Sequence, residues 1–274
     1  MPTGGALFLV PSMLGEGEPG DVLPEAVIQT IRGLDSFIAE EARSARAFLR
    51  RVGLERQLAA VRIDVLNEHT DAREFPRLLE PALNGARVGL LSEAGYPAIA
   101  DPGAELVALA HRRGLPVVPL VGPCSLLLAL AASGLNGQRF CVHGYLPVDA
   151  APRAARIREL EARSRNDASA QLFIEAPYRN NQLLAALLDT CEPDTRLCLA
   201  TELTLRTESI RTLSVAAWKA SPPDLNRRPT VFVMQAGIRP PVSATAERRS
   251  DAPALRRSRR RSGARSARPG SREG

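Results

Sequence analysis

The chain of 274 residues is long for one domain and comfortable for two, and a hydrophobic content of 45% places it among globular proteins able to bury a sizeable core. Aromatic residues make up only 4%, which argues against modules that grip RNA by stacking bases on Phe or Tyr platforms, though not against nucleic acid as such. The formal charge of +6 belongs to the C-terminal tail: from Arg239 onward eleven arginines stand against three acids, +8, leaving −2 on residues 1–238. Cys124, Cys141, Cys191 and Cys198 show no C-x-x-C spacing, and three scattered histidines complete no zinc pattern, so reduced thiols and no metal are expected. The N-terminus has no basic region of a signal peptide, and the longest apolar stretch, Leu120–Leu135, is broken by Gly122, Pro123, Ser125, Ser133 and Gly134 and falls short of a membrane span. A cytoplasmic protein without a membrane segment is the expectation.

Ala6–Val10 reads as a buried strand, followed by a Gly- and Pro-rich loop to Gly20 and a helical stripe at Val27, Ile28 and Ile31. Ser36–Ala39 is a second strand, and Ala47, Phe48 and Arg51 predict a helix stopping near Gly53. Val61–Leu66 alternates as a strand, and Thr70 is placed to cap a helix reaching about Asn84. A strand over 87–91, a helix over 102–113 begun by Pro102, and a strand over 116–120 complete a first half of βαβ units with a largely parallel sheet. A helix from Gly122–Ser125 through Ala132, a strand at Phe140–His143 with GYLP as a turn, and an amphipathic, charged helix over 153–163 serving as a solvated outer face follow. Strands at 171–175, 196–200, 209–213 and 230–235, with helices at 182–188 and about 216–219, predict a mixed sheet. The reading is α/β: an N-terminal domain over 1–121, a C-terminal domain over 122–238, and a disordered Arg-rich tail over 239–274.

Two loops stand out as candidates for a ligand site. Leu90–Gly103, LLSEAGYPAIADPG, interrupts an apolar run with two Gly and two Pro at the end of a strand, where open α/β sheets bind ligands. Gly15-x-Gly17-x-x-Gly20 matches the dinucleotide-binding fingerprint, with Glu40 and Glu41 about twenty residues on. Its five-residue delay after the strand, the acids Glu16, Glu18 and Asp21, and Pro19 speak against a pyrophosphate, so a nicotinamide-dependent dehydrogenase is only a remote alternative.

The segments LFLVPSMLG, IAEEARSARAFL, LNEHT, LLSEAGYPAIADPG, VVPLVGPCSLLLALAASGL, FCVHGYLP, FIEAPYR and ATELT, in that order over about residues 4–237, resemble the tetrapyrrole-methylase superfamily. Within it they are most similar to the branch that methylates the 2′-hydroxyl of a cytidine in small-subunit ribosomal RNA. The resemblance implies a homodimer of two α/β domains that holds S-adenosylmethionine between them and acts on rRNA or the small ribosomal subunit. By position, Ser92, Glu93, Ala94, Gly95, Pro97, Ile99 and Asp101 would line the methionine and ribose part of the cofactor. Cys124 and Ser125 would close over it, and Glu175, Pro177, Tyr178 and Leu203 would approach the adenine side. Glu41, Glu68 and His69 are the candidate bases, while Arg43, Tyr96 and Arg179 are assigned to the substrate. Ser125 has the simpler alternative of a helix cap, and Ile99 and Leu203 that of core residues. Glu93 and Tyr96 depart from the branch's S-D-A-G-T-P, and Leu205 stands where it commonly has lysine. Carbon methylation of a tetrapyrrole, and a non-catalytic cofactor- or RNA-binding paralogue, are the other readings kept open.

Overall fold

The computed structural model describes residues 4–54, 58 and 60–237; the tail expected over 239–274 lies outside them. The first half runs β1 (Ala6–Val10), α1 (Glu25–Arg32), β2 (Ser36–Ala39), α2 (Ala42–Arg51), β3 (Arg62–Val65), α3 (Phe75–Leu83), β4 (Arg87–Leu91), α4 (Ala104–Arg112) and β5 (Val117–Pro119). Its five strands form one sheet in the order β3-β2-β4-β1-β5, every pair parallel. Nearly unbroken apolar strands demand cover on both faces, and alternation assigns the cover. Ala6, Phe8, Val10, Phe37 and Ala39 pack under α1 and α2, whereas Leu7, Ile38, Val88 and Leu90 pack under α3 and α4.

The second half continues through α5 (Ser125–Ser133), β6 (Phe140–Tyr145), α6 (Ala150–Asp167), β7 (Ala170–Ile174), α7 (Asn180–Thr190), β8 (Arg196–Thr201), β9 (Ser209–Ser214), α8 (Val215–Ala220) and β10 (Thr230–Gln235). The sheet order is β6-β7-β10-β8-β9, with β6 and β7 parallel and the other pairs antiparallel, the mixed sheet expected. One face carries α6, α7 and α8 over a core that includes Phe173 and Phe232, whose rings stack with centroids 5.9 Å apart. The other carries α5 over Leu172, Cys198, Val231 and Val233, and Leu14 and Tyr96 from the first half pack into this same cluster. Through those two side chains the loops of the first sheet are anchored to the core of the second.

Local expectations change in four places. Thr70 does not cap α3: its hydroxyl bonds to Asn67, and Asp71 accepts from the Arg73 amide to start a short 3-10 turn, Ala72–Glu74, before the helix. Pro102 lies outside α4, which begins at Ala104: Gly103 has φ +125°, outside the helical range and open to glycine, so the helix starts only after it. Gly144 and Tyr145 belong to β6 rather than to a turn, reached through a register shift after Val142. Helix α6 extends well beyond 153–163, and its buried stripe takes in polar Arg153, Glu161 and Ser164 beside Ile157 and Leu160.

Candidate active site

Strands β4, β1 and β5 are neighbours, so the segments leaving their carboxyl ends converge. The Ser12 amide donates to the Gly95 carbonyl at 2.8 Å, tying the loop after β1 to the loop after β4. Gly95 has φ +83°, and a Cβ there would come within 2.9 Å of Leu14 Cδ2. Behind β5, a Cβ on Gly122 would meet Pro11 Cγ at 2.2 Å, so only glycine lets the connection to α5 lie on the first loop. Ala98 (φ 64°) and Ala100 (φ 55°) are also left-handed, a conformation that costs a non-glycine residue about 1–2 kcal/mol. Strain of this kind persists where the surroundings over-determine the backbone, and it gathers at functional sites.

An acidic group sits on this platform. Burial, then the neighbouring Glu40 carboxylate, pushes the Asp101 carboxyl up to about 7; Glu93 adds to the effect. The buried Ser92 hydroxyl faces the same carboxyl and opposes the shift, without reaching full hydrogen-bond geometry. Glu40, the residue after β2, is raised by its own burial and by Glu93 and Glu68. Glu41 serves the backbone instead. It caps α2, accepting from the Arg43 and Ser44 amides at 2.8 and 2.6 Å, and those bonds hold its carboxyl below the usual range. Glu68 and His69 lie 3.6 Å apart with over four-fifths of each side chain exposed, on a turn held by Asn67 and Thr70. Arg43 is exposed on α2.

From the second half, Cys124 rather than Ser125 is the N-cap of α5; neither side chain caps it, and Cys124 is buried close to the Tyr96 phenol. Tyr96 is half-buried against the second core, and Leu203 is buried in that core. Pro97 is buried, whereas Ile99 and Tyr178 are exposed. Glu175 is buried, with Oε1 taking Nε and Nη2 of Arg179 at 2.9 and 2.6 Å and the Ala176 amide at 2.7 Å. Arg179 is thereby committed to Glu175 and to the Tyr178 ring, 5.3 Å away, from the 3-10 turn Pro177–Arg179. Glu175 Oε2 and Ser12 Oγ are buried with no partner.

Three residues belong to this group that the motifs do not bring forward. Tyr145, at the end of β6, has its phenol raised by burial and then by Glu175, Glu40 and Asp101, which sets it between the acids of both halves. Glu40 enters the sequence reading only through the dinucleotide fingerprint; its place directly after a parallel strand is the usable signal. Ser44 donates to Glu93 Oε1 at 3.3 Å and joins Ser12, Leu14, Gly15, Glu93, Phe48 and Arg51 in lining a cavity of about 310 Å³ between α2 and the two loops. Leu205 reaches this region too, since a Cβ on Gly15 would lie 2.9 Å from its Cδ1.

The dinucleotide reading fails on geometry. Pro19–Asp21 is an isolated 3-10 turn and α1 begins only at Glu25, so none of the three glycines opens the helix whose amides would receive a pyrophosphate. Among the described residues, no three His, Cys, Asp or Glu side chains are placed to hold a metal ion, and no helix is long and apolar enough to cross a membrane.

Comparison with known proteins matches these elements to one family. Residues 14–217 fit the model of tetrapyrrole (corrin/porphyrin) methylases. The protein named ribosomal RNA small subunit methyltransferase I of Pseudomonas aeruginosa is 35% identical over 240 residues, covering 86% of this chain and 80% of that one. Its namesakes in Escherichia coli O157:H7 and Vibrio cholerae are each 31% identical, over 84% and 83% of this chain and 77% and 75% of theirs. Among solved structures, the methyltransferase CobJ superposes with a TM-score of 0.56 at 18% identity, over 85% of this chain and 94% of that one. Uroporphyrin III C-methyl transferase from Thermus thermophilus gives 0.52 at 17%, over 84% and 97%, and both likenesses concern the fold alone. The chain belongs to the tetrapyrrole (corrin/porphyrin) methylase family, and within it to the group of methyltransferases that these three bacterial relatives represent.

Proposed function

We propose that the chain methylates the 2′-hydroxyl of a cytidine ribose in small-subunit ribosomal RNA, with S-adenosylmethionine as donor. What carries the reading is 35% identity, over 86% of the chain, to a protein named for that RNA. The structural likeness to tetrapyrrole enzymes, at 17–18% identity, carries no substrate. The proposal includes two domains, 1–121 and 122–238, with the cofactor between them, the tail 239–274 appended, and a homodimer acting in the cytoplasm.

The residues present suit such a cofactor. It has no phosphate, and the arginine that the second half brings to the site, Arg179, is taken by Glu175 rather than left as a fork for one. The site offers instead a strained backbone cradle at Gly95 that a Cβ would fill, and the unpartnered buried oxygens of Ser12, Ser92 and Glu175. Ser92 to Gly95, with Pro97, Ile99 and Asp101, would hold the methionine and ribose part; Cys124 and Ser125 would cover it, and Glu175, Pro177, Tyr178 and Leu203 would flank the adenine. When bound, the cofactor supplies an electrophilic methyl group on a sulfonium. The chain's contribution is alignment, which removes much of the entropic part of the barrier, and acceptance of one proton. For that proton we assign the Glu40–Asp101 pair in place of Glu41, Glu68 and His69. A half-buried carboxyl near 7 is matched to working pH, whereas Glu41 is held low by its cap.

Calorimetry with S-adenosylhomocysteine tests the cofactor, and absence of binding at high micromolar ligand sinks the methyltransferase assignment. Ribose-methylation mapping of ribosomal RNA from cells with and without the gene tests the acceptor; one cytidine should lose its 2′-methyl mark, and an unchanged map rejects the RNA reading.

A further inference from the structure

Helix α2 has three distinct sides. Ala45, Phe48 and Leu49 are buried against the first sheet. Ser44, Ala47, Phe48 and Arg51 line the cavity of about 310 Å³. Arg43, Arg46 and Arg50, spaced three and four residues apart, share the outer face and are all exposed. The cavity side is rotated from the arginine row by one residue, about 100° around the axis, so the row runs along the rim of the cavity, with Arg51 at the junction. None of these four arginines has a carboxylate within 4.0 Å among the described residues. The acid next to them, Glu41, is turned into the helix N-terminus. Three guanidinium groups along about 10 Å of helix, with no ion-pair partner among the described residues, repel one another, a feature that an anionic, extended partner would relieve.

The cavity itself has the opposite character. Glu93, hydrogen-bonded to Ser44 Oγ at 3.3 Å, and Glu16 face it, together with Ser12, Met13 and Leu14. Two carboxylates against the single guanidinium of Arg51 at its edge disfavour a phosphate there, while a neutral sugar hydroxyl finds acceptors and hydroxyls. Positive rim and acidic, hydroxyl-bearing interior sort the two parts of a nucleotide strand: phosphates outside, sugar inside.

We propose that the Arg43–Arg46–Arg50 face of α2 is the docking track for the sugar–phosphate backbone of an RNA strand, which delivers the acceptor nucleotide into the cavity between α2 and Glu93. This rests on the RNA reading above. The track acts through charge and position, so it sets affinity for RNA and leaves the cofactor site untouched.

The test uses the full chain with the triple variant R43Q/R46Q/R50Q. Glutamine keeps the helix propensity, and all three sites are exposed. Small ribosomal subunits from cells lacking the gene are the methyl acceptor, with radiolabelled methyl incorporation followed from 50 to 200 mM salt. The expected result is a KM for subunits raised at least ten-fold with kcat within two-fold, unchanged S-adenosylhomocysteine binding, and a dependence of log(kcat/KM) on log salt shallower by about 2, from three contacts at ~0.7 each. The control R112Q/R113Q, at the end of α4, should move neither quantity by as much as half. Unchanged KM and salt slope in the triple variant overturn the track, and so does an equal loss in the control, which would mark a general charge effect. No incorporation by the wild-type chain would instead reject the RNA reading itself, and the track with it.

Discussion

Asp101 is the residue whose environment makes the most specific demand. Its carboxyl titrates near 7 in the folded chain because burial and Glu40 disfavour its charge, whereas in the unfolded chain it titrates in the ordinary aspartate range. The folded state therefore holds an extra proton between those limits, and stability falls as pH rises from about 4 to about 7, then levels. Glu40 shifts in the same direction and adds to the slope. Asp101→Asn keeps the shape without the titration, so urea midpoints measured across this range should flatten for the variant; a parallel decline in both proteins would place the charge elsewhere. Gly95 makes a conformational demand. Alanine at φ +83°, with its Cβ 2.9 Å from Leu14, should cost about 1–2 kcal/mol, and calorimetry should show at least a ten-fold weaker affinity for S-adenosylhomocysteine. Neither residue's state could be read from its neighbours in the chain. The Glu40–Asp101 pairing joins residues sixty-one apart, and the segment Gly95-Tyr96-Pro97 by itself does not say that its glycine is left-handed.

At the level of elements, the apolar periodicities located all ten strands of the described residues, because buried parallel strands and one-sided helices write their burial directly into the order of residues. The boundaries that moved did so for local side-chain or backbone reasons. Asp71 outcompeted Thr70 as a cap because Asn67 already engages the threonine hydroxyl, and β6 ran on through Gly144 because a register shift absorbs the irregularity. The loop after β4 shows what an element owes to its partners. Tyr96 lies in that loop, yet its ring packs into the core of the second sheet. Tyr96→Thr should therefore destabilise the chain by about 1–2 kcal/mol, roughly half of what a fully buried ring loses on truncation, as read from the shift in urea midpoint. A stability equal to that of the wild type would mean that the ring is not held by that core.

Taken as a whole, every residue assigned to the site lies within the described residues. Deleting residues 239–274 should leave S-adenosylhomocysteine affinity unchanged. The same deletion should make RNA affinity less sensitive to salt, since eleven arginines against three acids are removed; a large loss of cofactor affinity would show that the site extends into the tail. Local order in the chain was enough to establish two α/β halves, a parallel and a mixed sheet, the irregular loop at 92–103, and the resemblance to a methylase family. Those properties follow from hydrophobic period, turn chemistry and short motifs, each confined to a few consecutive residues. Only the tertiary structure decided that the loops after β1, β4 and β5 knit around Gly95 and Gly122, because that depends on strand order. It also set the surroundings of the polar residues: Glu41 caps a helix, Arg179 neutralises Glu175, and Glu40, Asp101 and Tyr145 come together. A carboxylate's proton affinity and an arginine's freedom depend on what burial and folding set beside them in space.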